Sequence, residues 1–122
     1  MKKWNNLLES KEQSISRGAV LRTKAKYPYE NEVDFMLVES SKSPSGFALM
    51  VATGYKAGLI LQLLPLDAVV QRATSPVISL QWLKDNWVKW IYEVGPEEVY
   101  YNEGYSIEPD WNTKIEPKLL RN

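Results

Sequence analysis

The sequence predicts an α+β fold in which an antiparallel sheet of about four to six strands packs against one main helix. Three observations support it: short β-forming runs interrupted by Gly or Pro, one late segment with helical spacing, and another strand-like run after it. The chain has 122 residues, of which 44% are hydrophobic and 25% charged, a composition typical of one domain. We expect a single domain over 1–122, with an arm at 1–18 and a tail at 106–122 lying on its body.

The first strong strand signal is the run at 32–39, which is rich in β-branched and aromatic residues. Strand geometry places Val33, Phe35 and Leu37 on one face. A shorter strand is predicted at 19–22.

A β-hairpin is predicted over 47–64. Two short apolar runs, 47–52 and 59–64, flank a turn in which Gly54 and Gly58 supply permissive backbone. The segment 66–73 fits either a short helix or an excursion at a strand edge.

The main helix is predicted at about 79–92, with Ser79 as its N-cap. Its apolar residues recur on one helical face, which favours burial of the whole stripe: Leu80, Leu83, Trp87, Trp90 and Ile91. Gly95 and Pro96 stop the helix, and a further strand is predicted at 97–102.

Composition excludes several chemistries. Cysteine and histidine are both absent, which removes disulfides, thiolate metal sites and the commonest general base. Three carboxylates, Glu30, Glu32 and Asp34, share a strand face, but we interpret them as a solvated strand start. Asp34 is then expected either to cap the backbone or to pair with a nearby Lys or Arg. Only a deep cleft lined by all three would indicate a hydrolase. We therefore predict no enzyme, no metal and no cofactor.

The formal net charge is zero, with 15 basic and 15 acidic residues. A nucleic-acid-binding protein normally has a basic excess. The sequence shows neither a signal peptide nor an apolar run long enough to span a membrane. We expect a cytoplasmic protein without a nucleic-acid or membrane partner.

The charges are unevenly distributed along the chain. Residues 1–29 carry seven basic and two acidic side chains, whereas residues 91–110 carry six carboxylates and no Lys or Arg. The two segments could meet in the fold and cancel. Alternatively, the second segment could form an acidic surface that steers a basic partner.

Aromatic residues lie within the acidic segment, and Tyr and Trp are enriched at protein interfaces. Tyr100 and Tyr101 must point to opposite faces of their strand, so at most one of them belongs to the core. We predict a partner-binding surface at Glu97, Glu98, Tyr101, Glu103, Tyr105, Glu108, Asp110 and Trp111.

Four blocks of the chain resemble the immunity protein 45 family of bacterial polymorphic-toxin systems. They read YPYENEVDFML at 27–37, TGYKAGLIL at 53–61, WLKDNWVKWIY at 82–92 and EEVY at 97–100. The resemblance implies a cytoplasmic immunity protein that binds and neutralises a cognate toxin C-terminal domain, including toxins delivered by contact-dependent growth inhibition.

Many such toxins are nucleases, whose basic substrate-binding residues suit an acidic inhibitor surface. We expect a monomer or weak dimer. The alternative is a non-catalytic adaptor or regulatory domain that uses the same face for a different partner.

Overall fold

The structure is a computed structural model that describes residues 3–71 and 75–105. These residues form nine strands, which in chain order are β1 (Asn5–Asn6), β2 (Ser14–Ile15), β3 (Val20–Lys24), β4 (Glu32–Glu39), β5 (Phe47–Val51), β6 (Ile60–Leu63), β7 (Val69–Val70), β8 (Val77–Ser79) and β9 (Val99–Asn102). The helix α1 (Leu80–Asn86) continues into a π-helical turn at Trp87–Ile91.

Six strands form one antiparallel sheet in the order β1-β9-β3-β4-β5-β6. The predicted fold class is confirmed, because this sheet accompanies one helical segment of 12 residues. A second sheet, β2-β8-β7, was not predicted. Its strands have only two or three residues, which is too short for an alternating pattern to appear in the sequence.

The core lies between the large sheet and the helix. Val33, Phe35 and Leu37 of β4 are fully buried there, as the alternation of that strand predicts, and the Phe35 ring lies 6.3 Å from the ring of Trp87. The other face of β4 carries Asp34, which pairs in register with Arg22 of β3. The sheet face opposite the helix therefore carries this Arg–Asp pair, next to apolar residues such as Met36.

The helix begins as predicted at Ser79, whose Oγ accepts a hydrogen bond of 3.0 Å from the Trp82 backbone N–H. The prediction that Trp90 lies in the core is wrong, because 41% of its surface is exposed. The cause is the π-helical turn, in which the Tyr92 N–H donates to the Trp87 carbonyl over 3.0 Å. This wider turn rotates Trp90 off the apolar stripe while Ile91 stays buried.

The hairpin between β5 and β6 is also confirmed. The Glu30 carboxylate accepts a 3.0 Å hydrogen bond from the Tyr55 N–H and packs against Gly54. Gly54 has φ +78°, a left-handed conformation that residues with a Cβ rarely adopt, so this turn favours glycine.

Residues Leu66–Ala68 then form a 3-10 turn that leads directly into β7. The described part of segment 66–73 thus contains both a short helical turn and a strand, so each of the two interpretations, a short helix or an excursion at a strand edge, is partly correct. None of the helices in the described ranges is long and apolar enough to cross a membrane.

Candidate functional site

The candidate site is built on β9, which lies between β1 and β3 in the large sheet. Tyr100 pairs in register with Arg22, and Tyr101 pairs with Leu21. Because side chains alternate along a strand, Tyr100 shares the face of Arg22 while Tyr101 points towards the core.

The assignment of Tyr101 to the partner-binding surface needs correction. Tyr101 is only 3% exposed, and its hydroxyl forms a hydrogen bond with Ser10 Oγ. Tyr100 is 46% exposed. It therefore replaces Tyr101 as the aromatic residue of β9 that faces solvent. The sequence indicated that at most one of the two belongs to the core, and the pairing of β9 with β3 determines which one it is.

Three predicted carboxylates lie at the two ends of β9. Glu97 and Glu98 belong to the 3-10 turn Pro96–Glu98 that precedes the strand, and Glu103 follows it. All three are exposed. Within the part of the chain that the structure describes, none of the three forms an ion pair.

The described carboxylates of the 91–110 segment therefore differ in their pairing. Glu93 binds Lys26 over 3.2 Å, and this is the ion pair that joins the segment to residues 1–29 within the described ranges. The two oppositely charged segments do meet, since β9 pairs with both β1 and β3. They do not neutralise each other completely, because three carboxylates stay unpaired among the described residues.

We use the name β9 face for five exposed residues at and beside β9: Glu97, Glu98, Tyr100, Glu103 and Tyr105. Glu97, Glu98 and Tyr100 line one cleft, whereas Glu103 lines another at the opposite end of the strand. The other predicted residues of this surface lie outside the described ranges: Glu108, Asp110 and Trp111. The structure therefore brings part of the predicted set to the ends of one strand.

A polar cluster supports the β9 face from the neighbouring strands. Asp34 is almost fully buried, and its Oδ1 and Oδ2 accept hydrogen bonds of 2.7 and 3.0 Å from Arg22 Nε and Nη2. Tyr105 donates its hydroxyl to Asp34 Oδ2 over 2.6 Å. The Arg22 guanidinium also lies 4.3 Å from the centre of the Trp4 ring, at cation–π distance.

The cluster shifts the pKa values of Arg22 and Tyr105. The hydrogen bond with Asp34 raises the pKa of Arg22 above its ordinary value. Burial, followed by the hydrogen bond to Asp34, raises the pKa of Tyr105 well above the usual range for tyrosine. Tyr105 therefore remains a neutral donor at physiological pH, and its ring is held in place beside β9.

The prediction that Asp34 pairs with a nearby cation is confirmed, but its position in a solvated strand start is wrong because it is buried. The three strand carboxylates also have separate roles. Glu30 binds the hairpin turn, Glu32 is exposed, and Asp34 is enclosed by Arg22 and Tyr105. No group of His, Cys, Asp or Glu within residues 3–71 and 75–105 is arranged to hold a metal ion.

A shallow cleft of about 260 Å³ opens beside this cluster, and its walls include Trp4, Glu32, Glu98 and Tyr100. Trp4 and Arg22, which line this cleft, were not predicted from the sequence as parts of the site. Arg22 and Asp34 are twelve residues apart in the chain and lie directly opposite each other because β3 and β4 pair in this register.

Tyr100 and Tyr105 are exposed beside this cluster, and Tyr is a residue type enriched at protein interfaces. The chain belongs to the immunity protein 45 family, whose family model matches residues 7–101. No curated protein and no solved structure gives a significant match.

Membership of this family implies a cognate toxin as partner and neutralisation of that toxin as the role. Immunity proteins are typically non-catalytic, which agrees with the separate roles of the strand carboxylates. The matched span ends at Tyr101, so Glu103 and Tyr105 lie beyond it.

Proposed function

We propose that this immunity protein neutralises its toxin by covering a basic surface of the toxin with the β9 face. One observation carries the proposal: Glu97, Glu98 and Glu103 are exposed and have no ion-pair partner among the described residues. Carboxylates left unpaired on an exposed face attract a basic partner and can pair with it on docking.

The proposed target is a nuclease domain delivered by contact-dependent inhibition and met in the cytoplasm. A nuclease binds the phosphates of its substrate with Lys and Arg. An inhibitor that presents carboxylates to the same residues competes with the nucleic acid for them. The inhibitor then acts by occlusion and needs no reactive group of its own.

The aromatic side chains give this surface its proposed anchors. Tyr100 is held on a strand that pairs on both sides, and Tyr105 is fixed by its hydrogen bond to Asp34. Rigid aromatic rings provide contact area at a low cost in conformational entropy. We propose that the interface also includes Glu108, Asp110 and Trp111, which lie outside the described residues. A complex of this kind buries about 1,200–2,000 Å² in total.

The first test is co-expression with the toxin C-terminal domain encoded immediately upstream. We expect the two proteins to co-purify and the immunity protein to restore growth of cells that express the toxin. If the upstream domain neither binds the protein nor becomes harmless in its presence, toxin neutralisation by this pair is excluded.

The second test addresses the surface itself. The double variant Glu98→Lys/Glu103→Lys should slow association with the toxin about tenfold or more at low salt, because electrostatic steering is reversed. It should also lose less of its association rate when salt is added. Stopped-flow fluorescence measures both effects.

A matched control is Glu39→Lys/Asp85→Lys, which changes the net charge equally at exposed sites away from β9. If the control slows association as much as the β9 variant does, the effect belongs to net charge and not to this surface. Unchanged kinetics in the β9 variant would exclude the surface while leaving toxin neutralisation intact.

A further inference from the structure

We propose that the opposite edge of the large sheet is a homodimer interface, in which β6 pairs antiparallel with β6 of a second copy. β6 is the last strand in the sheet order, and no described strand pairs with its outer side. An unpaired edge strand exposes backbone N–H and C=O groups that a further strand can bind.

The side chains of this edge are apolar and exposed. We call residues 57–66 the β6 edge, and this stretch contains no charged residue. Leu59, Ile60 and Leu66 are each more than half exposed, and Leu63 is 37% exposed. Edge strands of monomeric proteins are commonly protected by charged residues, by proline, by a bulge or by being short. β6 has no charge and no proline, and its protection consists of its length of four residues and an irregular register opposite Leu49 and Met50.

The π-helical turn packs against β6, whereas Ile60 and Leu63 share the face of their partners Met50 and Ala48 on β5. Val88 and Trp90 on that turn are also exposed, and the Trp90 ring lies 6.2 Å from that of Trp82. A partner strand on β6 would lie next to these side chains and shield part of them from water, which favours association.

Charge complementarity identifies the occupant as a second copy of the chain. Lys56 and Asp67 flank the β6 edge and lie equally far along the chain from the centre of β6. Full antiparallel overlap of β6 with its symmetry mate pairs Ile60 with Leu63, so that two apolar residues meet.

The same overlap brings the turn before β6 in one copy next to the 3-10 turn after β6 in the other. Lys56 of each copy then approaches Asp67 of its mate, and the twofold axis repeats this contact. Neither residue has an ion-pair partner among those described. The β6 edge itself carries no carboxylate that could pair with a basic toxin.

Sedimentation over a range of concentrations tests the proposal with the full chain. We expect the wild type to associate into a dimer, and Ile60→Lys to raise the dimer dissociation constant about tenfold or more, because it places a charge in the apolar contact. Leu8→Lys is the matched control, since Leu8 is similarly exposed and follows β1 at the other edge. A wild type that stays monomeric up to millimolar concentration, or an Ile60→Lys dimer of wild-type strength, would overturn the proposal.

A charge exchange tests the antiparallel arrangement. Lys56→Glu and Asp67→Lys should each weaken the dimer, because each places like charges together across the axis. An equimolar mixture of the two variants should form a heterodimer, because opposite charges then meet at both contacts. If the mixture associates no better than either variant alone, the proposed pairing is wrong. Neither position belongs to the β9 face, so toxin binding can be measured independently.

Discussion

The two sides of one sheet differ in the kind of recognition they suit. The β9 face carries three carboxylates that are unpaired among the described residues, and it rests on the ion pair between Arg22 and Asp34. The β6 edge is uncharged over ten residues and exposes leucine and isoleucine. Charge acts over distance and selects the sign of a partner, whereas apolar area acts only on contact. The toxin and the second copy proposed above would therefore bind different parts of the domain and would not compete with each other.

The two sides are also assembled differently. The β6 edge follows from a local hairpin with β5. The β9 face depends on contacts between distant parts of the chain, including a 2.7 Å hydrogen bond from Asn6 Nδ2 to the Glu97 carbonyl. Substitutions should therefore affect stability more on the β9 side than on the β6 side.

The largest effect is expected for Asp34→Ala, which should lower the free energy of unfolding by about 2–3 kcal/mol. It leaves the Arg22 guanidinium and the Tyr105 hydroxyl without their shared acceptor. Urea denaturation measures the change. Glu39→Ala, which removes an exposed ion pair with Arg17, is the control and should cost about 0.5 kcal/mol or less. Equal losses in both variants would show that the buried cluster contributes no special stability.

Salt should separate the two proposed interactions. Raising the ionic strength from low to physiological should slow association with the toxin about tenfold, since steering through the β9 face is screened. The dimer dissociation constant should change far less, because only the flanking Lys56 and Asp67 contacts are charged. Association kinetics and sedimentation in the same buffers provide the comparison. Equal salt sensitivity would remove the distinction between the two sides.

Tyr105→Phe should lower the free energy of unfolding by about 1 kcal/mol at neutral pH, because one hydrogen bond to a carboxylate is lost. The pKa of Tyr105 is raised in the folded state, so the unfolded chain loses this proton first. The contribution is therefore fully present below the ordinary tyrosine pKa of 10.0 and decreases as the pH rises above it. Urea denaturation of both proteins between neutral and alkaline pH tests this, and a difference that grows with pH would contradict it.

The smallest effect is expected for Ile60→Lys on the stability of the monomer. The side chain is already 51% exposed, so the free energy of unfolding at high dilution should change by about 0.5 kcal/mol or less. Thermal or urea denaturation below the dimer concentration range measures it. A large loss would mean that Ile60 stabilises the fold rather than an interface.

The features that the sequence predicted well are those determined locally. Strand β4, the β5–β6 hairpin and the Ser79 cap depend on alternation, turn glycines and one hydroxyl within a few residues. Trp90 was misplaced because helical spacing does not show where a helix widens into a π-helical turn.

The site was only partly predictable, because it depends on register. The carboxylates of the β9 face could be identified from charge alone. The exchange of Tyr101 for Tyr100 and the burial of Asp34 depend on how β9 and β4 pair with β3. Those pairings join residues that are far apart in the chain, so no local pattern contains them.

The position of β9 has a consequence for the timing of folding. It is the last described strand to be synthesised, yet it lies between β1 and β3, which come from the first 24 residues. Until β9 emerges from the ribosome, β1 and β3 lack the strand that lies between them in the sheet. Their pairing with β9 is also slow, because it joins residues that are far apart in the chain. The hairpin that contains β6 can form much earlier. A nascent chain therefore presents its self-association edge well before it completes the face proposed to bind the toxin.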